Sequence, residues 1–390
     1  MKRIFLTVLD SLGIGTAPDA KRFGDFDCNT LKRISGSGYF KIPNLINLGI
    51  GNTDGIDYIE KKPAKAGFVR MREASNGKDT TIGHWEISGI ISDKPLPTYP
   101  LGFPPEIISQ IEEATGRRVI VNKPYSGTRV IYDYGEEQLK TGALIVYTSA
   151  DSVLQIAAHE EKIGLENLYD YCRKIRKIMC GRHAVGRIIA RPFTGSCKED
   201  FKRTSNRHDF SLEPPAPTVL DALFSNNFDV ISIGKIYDIF AGKSITEYSY
   251  THSNKEGMQK MLEYQMKDFC GLCFTNLVDF DMNFGHRQDI DGYAKALSEF
   301  DSFLPLFING MKEDDLLMIT ADHGCDPGDL HTDHTREYTP LIIIGKSVKP
   351  GSCKTRNSFA DIGASIASIF GVGYKSDGCD FSDEFLKLRA

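Results

Sequence analysis

Apolar runs of strand length recur along the chain, and several end on a carboxylate. "RIFLTVLD" closes at Asp10, "ALIVYTSAD" at Asp151, "CFTNLVDFD" at Asp281, and "DLLMITADH" at Asp322 and His323. Between them lie "PPEIISQIEEAT", "GMQKMLEYQMKDF" and "YAKALSEFDSFLPLFINGM", whose apolar residues recur at spacings of three and four, the period of an amphipathic helix. Strands alternating with helices predict an α/β fold with a mostly parallel central sheet flanked by helices. Ligands of such sheets collect outside the carboxyl ends of the strands. The acidic strand ends therefore read as contributions to one crevice from distant parts of the chain.

Two proline-dense stretches, "SDKPLPTYPLGFPPE" at 92–106 and "RTSNRHDFSLEPPAPTV" at 203–219, interrupt the alternation. They predict a core domain begun by residues 1–96, an inserted domain at 97–215, and the core resumed by 216–390. A single larger fold with two proline-rich surface loops is the other reading.

Composition narrows the class. A chain of 390 residues, 41% hydrophobic and 25% charged, can bury a sizeable core. Its net charge of −5, from 52 acidic against 47 basic residues, gives no general attraction for nucleic acid or an anionic membrane, so neither is expected as a partner. An anionic small molecule must then be met by a local cluster. The opening "MKRIFLTVLD" is too short to span a bilayer and shows no small-residue cleavage site, so it reads as a buried strand. Nine irregularly spaced cysteines point to a reducing compartment, the cytoplasm. Cys270 and Cys273 form a C-x-x-C that reads as core packing, with redox chemistry or half a zinc site as the alternatives.

Six candidate metal ligands fall at or near strand ends: Asp10, Asp281, Asp322, His286, His323 and His334. A mixed oxygen and nitrogen set suits manganese, zinc or iron. Six exceed what one open site needs, and two ions a few ångströms apart are the arrangement that clamps a phosphoryl group in transfer. Asp10 alone reads equally as a helix N-cap. Asp281 and His286 are expected in a loop, with Gly285 permitting a turn. In "GKDTTIGHWE", Thr80 and Thr81 read either as N-caps of a following helix or as a nucleophile at a helix N-terminus, where free amides favour phosphate.

"VLDSLGIGTAPDA", "GKDTTIGHWE", "YTSADSVLQIAAHEE", "GRIIARPF", "NLVDFDMNFGHR" and "TADHGCDP" with "TDHTREYTPL" occur in order over nearly the whole chain. In these the sequence resembles the prokaryotic-type phosphopentomutases of the alkaline phosphatase superfamily. That resemblance implies an alkaline phosphatase-like core interrupted by a small α/β cap, and a phosphorylated Thr80. It also implies two Mn2+ ions, one held by Asp281, His286 and His334 and the other by Asp10, Asp322 and His323. Asp151, Arg187, Arg203 and Lys235 become candidates for holding a pentose phosphate. The implied reaction, a step of nucleoside salvage, interconverts ribose 1-phosphate and ribose 5-phosphate, and their 2-deoxy forms, through a 1,5-bisphosphate. A sugar bisphosphate such as glucose 1,6-bisphosphate would be the primer. A metal-dependent phosphatase or phosphodiesterase with the same core is the rival activity, and a pentose phosphate-binding pseudoenzyme the rival from another class. Two positions depart from the family pattern: Ile82 stands where a threonine is usual, and His331 where a glycine is.

Overall fold

The computed structural model describes residues 2–149 and 151–387. Two compact units divide the chain: one comprises Met1–Pro95, Pro214–Tyr237 and Gly242–Ala390, the other Leu96–Glu213 with Asp238–Ala241. The strands before the second unit are β1 (Arg3–Leu9) and β2 (Gly67–Met71). Within it run β3 (Val119–Pro124), β4 (Leu144–Thr148), β5 (Val153–His159), β6 (Arg187–Thr194), β7 (Lys202–Arg203) and β8 (His208–Ser211). After it come β9 (Asp229–Ile233), β10 (Glu247–Ser249), β11 (Gly271–Leu277), β12 (Asp315–Thr320), β13 (Thr339–Ile344) and β14 (Gly351–Ser352).

The larger unit holds an eight-stranded sheet in the order β10-β9-β11-β1-β12-β13-β2-β14. The run from β10 to β12 is parallel, and β13 is antiparallel to both its neighbours. This is the mostly parallel, helix-flanked α/β class that the alternation predicts. Strands buried on both faces carry continuous apolar runs, and β1, β11 and β12 are buried at every position. Arg3 is the charged exception in β1. It is fully buried and meets Asp315 at the start of β12 through two parallel bonds, Nε to Oδ1 at 2.8 Å and Nη2 to Oδ2 at 2.6 Å. Its remaining nitrogen donates to the carbonyls of Gln265 and Lys267, both at 2.8 Å. The fork ties the start of β1 to the start of β12.

The expected helices are present at Pro105–Thr115, Asn254–Met266 and Ile290–Asn309. The last contains Pro305, which cannot donate to the carbonyl of Asp301 one turn earlier. Asn44 Nδ2 donates to that carbonyl at 3.1 Å, while the Asp301 carboxylate accepts from the amides of Asn44 and Leu45 at 3.1 and 2.7 Å. The break in one helix thus anchors the start of the next-door Pro43–Leu48 helix. Cys273 is buried within β11, Cys270 is half-buried just ahead of it, and both are free thiols. Among the described residues no helix is long and apolar enough to cross a membrane.

The smaller unit carries its own mixed sheet, β3-β4-β5-β6-β7, with β8 also paired to β6. Apolar clusters cover both faces, one including Ile107, Ile111, Leu168 and Ile188, the other including Val130, Ile145, Tyr147 and Phe193.

Removing one partner of a buried, hydrogen-bonded ion pair costs about 3–5 kcal/mol. Arg3→Met should therefore lower the urea midpoint of the larger unit by a loss of that size, and a midpoint unchanged from wild type would show that the fork contributes nothing net.

Candidate metal centre

Strand register assembles the site. Leu9 at the end of β1 lies opposite Leu277 of β11, and Val8 opposite Thr320 of β12. The residues just beyond these three ends, Asp10, Asp281 and Asp322, consequently emerge together at the carboxyl edge of adjacent parallel strands. Asp281 and His286 do not sit in an open loop, as the sequence suggested. Phe280–Gly285 is a π-helical turn that ends at His286. Such turns are rare and concentrate at functional sites. Gly285 is not needed for a turn either; a Cβ there would come within 2.9 Å of Cys325 Sγ, so it is small because another segment presses on it.

All six candidate ligands converge. Asp10, Asp322 and His323 are buried at 0–1% exposure, and Asp281 and His334 are nearly so. His286 Nε2 lies 3.3 Å from Asp281 Oδ2, His334 Nε2 3.4 Å from Asp281 Oδ1, and His323 Nε2 3.5 Å from Asp10 Oδ1 and 3.3 Å from Asp322 Oδ2. Two groups of donor atoms fall within 4.8 Å of one another, Asp281 with His286 and His334, and Asp10 with Asp281 and His323. Asp281 borders both.

The histidine tautomers fit a cation. Nδ1 of His286 faces the carbonyl of Thr332 at 2.6 Å, that of His323 the carbonyl of Gly324 at 3.1 Å, and that of His334 the carbonyl of Lys78 at 2.9 Å. A carbonyl only accepts, so each Nδ1 carries a proton and each Nε2 is the atom turned toward the cluster, able to ligate once its own proton has left. His286 and His334 bring their Nε2 atoms to 3.1 Å of each other. At that distance positive charge lies between them, a proton on His286 in the metal-free protein or a cation once that proton has left. Asp10 Oδ1, Asp281 Oδ1 and Asp322 Oδ2 are buried oxygens with no hydrogen-bond donor, where nearly every buried polar atom has a partner. Burial, then the Asp322 and Asp281 charges, raises Asp10 to about 6. For His286, burial works against charge, but the hydrogen bond and charge of Asp281 prevail and lift it to about 9.

Thr80 stands beside this cluster, its Oγ1 3.1 Å from His323 Nε2. Neither threonine is the N-cap, the reading the local pattern offered. Asp79 takes that position and accepts from the amide of Ile82 at 3.1 Å, which makes Thr80 the first residue of the Thr80–Ile87 helix. Thr81 is buried at 9% exposure and Ile82 at 0%. Gly83 lets the helix pack on the metal loop, since a Cβ there would lie 2.3 Å from the carbonyl oxygen of Asp322. Lys78 pairs with Asp25 at 3.0 Å and Asp333 at 3.4 Å. His331 is exposed.

Of the other residues picked from sequence, Lys235 Nζ lies 3.9 Å from Asp10 Oδ2. Within the smaller unit Arg187 Nη2 lies 3.7 Å from Asp151 Oδ2, and Arg203 Nη2 donates to Thr128 Oγ1 at 3.2 Å. Sequence reasoning passed over a supporting layer. His84 is fully buried, its Nδ1 2.8 Å from the Thr80 carbonyl and 3.1 Å from Asp322 Oδ2. Asn276 Nδ2 donates to Asp10 Oδ2 at 3.1 Å. Glu337 accepts from Gly15 N and Thr30 N, both at 3.0 Å, and from the hydroxyls of Thr30 and Thr335, both at 2.7 Å. Arg336 donates to the carbonyls of Gly77 at 2.6 Å and Glu73 at 2.7 Å and to Asp19 Oδ2 at 3.0 Å. The available signal was a density of polar residues inside "GHWE" and "TDHTRE", motifs otherwise set in buried surroundings.

A family model described as the metalloenzyme superfamily matches residues 2–374, so the class is that of an enzyme built around a divalent metal. The phosphopentomutase of Lachnoclostridium phytofermentans is 56% identical over 390 residues, covering 99% of this chain and 100% of that one. That of Clostridioides difficile is 52% identical over 389 residues, covering 98% and 100%. The chain belongs to the phosphopentomutase family and is an enzyme of the isomerase class. Among solved structures, a protein from Pyrococcus horikoshii is similar at 13% identity and a TM-score of 0.49, over 96% of this chain and 98% of that one.

Two outcomes test the centre. Metal uptake needs the His286 lone pair, which is protonated below about 9 in the metal-free protein. Binding at neutral pH should therefore release protons, and apparent affinity should rise as pH climbs toward that value. Calorimetry in buffers of different ionisation enthalpy reads the release, and equal heats would contradict it. Gly83→Ala should push the Thr80–Ile87 helix off Asp322 at a cost of about 1–3 kcal/mol, seen as a lower melting temperature and less metal per chain.

Proposed function

We propose that the enzyme interconverts ribose 1-phosphate and ribose 5-phosphate, and the 2-deoxyribose equivalents, by passing a phosphoryl group through Thr80. The observation that carries this reading is the position of Thr80 Oγ1, at the first residue of a helix and 3.1 Å from His323 Nε2, on the rim of a cluster of donor-poor buried carboxylates. A helix N-terminus turns free amides and positive potential toward a phosphate on that hydroxyl.

In the proposed cycle the phosphorylated Thr80 gives its phosphoryl group to the free hydroxyl of a bound pentose monophosphate. The threonine O–P bond breaks as the sugar O–P bond forms, and the hydroxyl proton leaves. The resulting 1,5-bisphosphate turns round, and its other phosphoryl group returns to Thr80. Asp281, His286 and His334 would hold one divalent ion and Asp10, Asp322 and His323 a second, manganese being the proposed metal. Such ions supply positive charge to the oxygens of a phosphoryl group in flight. Asp151, Arg187, Arg203 and Lys235 are the proposed contacts to the pentose phosphate, with the 97–215 insert acting as a cap that limits hydrolysis. A sugar bisphosphate such as glucose 1,6-bisphosphate would first load Thr80. The reaction serves nucleoside salvage in the cytoplasm.

Incubation with glucose 1,6-bisphosphate should add one phosphoryl group to the wild-type peptide containing Thr80, detected by mass spectrometry, and none in Thr80→Ala. The same variant should lose pentose phosphate interconversion by at least about a thousandfold while keeping its metal. Unimpaired transfer in that variant would overturn the assignment. Release of inorganic phosphate from ribose 5-phosphate with no ribose 1-phosphate formed would instead identify a phosphatase.

A further inference from the structure

His84 is fully buried, is not among the six candidate ligands, and joins their carboxylates to the main chain of Thr80. Both residues belong to the Thr80–Ile87 helix, four positions apart, so His84 lies one turn on along the same face. Its Nδ1 stands 2.8 Å from the Thr80 carbonyl, which only accepts, so Nδ1 carries a proton and is the donor. The same nitrogen lies 3.1 Å from Asp322 Oδ2 without a hydrogen bond to it.

Strand β11 meets the other side of the ring. Phe274 and Asn276, two residues apart, share one face of that strand, and the imidazole stacks on Phe274 with ring centres 5.7 Å apart and planes 28° from parallel. Asn276 lies opposite Val8 of β1, close to the point where Asp10 leaves that strand. Its Nδ2 donates to Asp10 Oδ2 at 3.1 Å and stands 3.3 Å from His84 Nε2. The carboxylate fixes which end of the amide points there, because the amide oxygen has no proton to offer it. An amide nitrogen only donates, so His84 Nε2 is the acceptor.

One chain of hydrogen bonds therefore runs from the Thr80 carbonyl through His84 and Asn276 to Asp10, with Asp322 against its first link. His84, Asn276, Asp10 and Asp322 are each 0% exposed, so no bulk water replaces a lost link. We infer that His84 is a positioning residue for phosphoryl transfer, which with Asn276 holds the Thr80 backbone at a fixed distance from the Asp10 and Asp322 carboxylates. The inference rests on the reading of Thr80 as the phosphoryl carrier. A reacting group displaced by about 1 Å loses about a hundredfold in rate.

The test measures kcat and KM for ribose 5-phosphate, metal per chain and melting temperature on the metal-loaded full chain, for wild type and variants. His84→Leu should lower kcat about a hundredfold, with KM within about twofold of wild type and metal content unaltered. Asparagine places its amide nitrogen where the imidazole has Nδ1, so His84→Asn should recover at least about tenfold of that loss. Glutamine carries its amide one carbon farther out, and His84→Gln should recover none of it. Adding Asn276→Leu to His84→Leu should cost no further kcat, because the chain is already cut. In the metal-free protein, NMR of isotope-labelled histidine should show the His84 ring protonated at Nδ1 and bare at Nε2. If His84→Leu folds poorly, the contrast between His84→Asn and His84→Gln decides. Wild-type kcat in His84→Gln, a kcat loss that only follows lost metal, a further loss in the double variant or a proton found on Nε2 would each overturn the positioning role and leave the mutase reading standing. Full transfer by Thr80→Ala would instead overturn the mutase reading, and the positioning role with it.

Discussion

Three carboxylates buried side by side are the arrangement that the core unit must satisfy. Asp10 and Asp281 bring ligand atoms within 4.8 Å of each other, and at about that separation two unit charges repel by ~3 kcal/mol even at an effective dielectric near 20. The chain answers with few donors of its own. Asn276 serves one oxygen of Asp10, Ser11 N one oxygen of Asp322 at 3.1 Å, and Lys235 stands 3.9 Å off. What remains unpaired faces three imidazole nitrogens, each turned inward by a carbonyl on the far side of its ring. Such a cluster is tolerable when a divalent cation sits in it, so the need for metal is already present in how the strands line up.

Holding that cluster in place falls to residues that ligate nothing. Glu337 gathers the segment after β1, the start of the Thr30–Ser35 helix and the strand of residues following His334 onto one buried carboxylate. Gly13 and Gly324 flank it so closely that a Cβ on either would meet Glu337 at 2.3 or 2.4 Å. Arg336 ties the Glu73–Gly77 stretch, which leads to Thr80, onto the same segment. Glu86 accepts from the amides of Ala74 and Ser75 at 2.8 and 2.6 Å and from Phe359 N at 2.9 Å. The start of the Thr80–Ile87 helix and the loops bearing the candidate ligands are thereby fixed to one scaffold, which is how supporting hydrogen bonds tune a metal site.

Much of this was legible in the sequence because period and strand-end chemistry are local. The apolar runs gave β1, β11 and β12, and the carboxylates at their ends marked the site. Of the two readings open at Thr80 the N-cap one fails, because Asp79 competes for the cap and only geometry shows which oxygen meets the Ile82 amide. The turn at Asp281 was misread because an extra residue per helical turn leaves no periodic trace in six residues. His84, Asn276 and Glu337 were invisible as a layer, since contacts that join them to the site span 192 residues for His84 with Asn276 and 307 for Glu337 with Thr30.

The topology of β1 bears on how such a chain is made. Its partners on either side, β11 and β12, begin at residues 271 and 315. On a ribosome working from the N-terminus, the first strand waits unpaired while everything up to β11 is synthesised. The Leu96–Glu213 unit has its own sheet and both apolar faces, so it can close while the core is still open. Pairing over such separations is slow. An apolar first strand with no neighbour is a target for chaperones, and the carboxylate-lined edge of the sheet comes into being only when the last third of the polypeptide arrives.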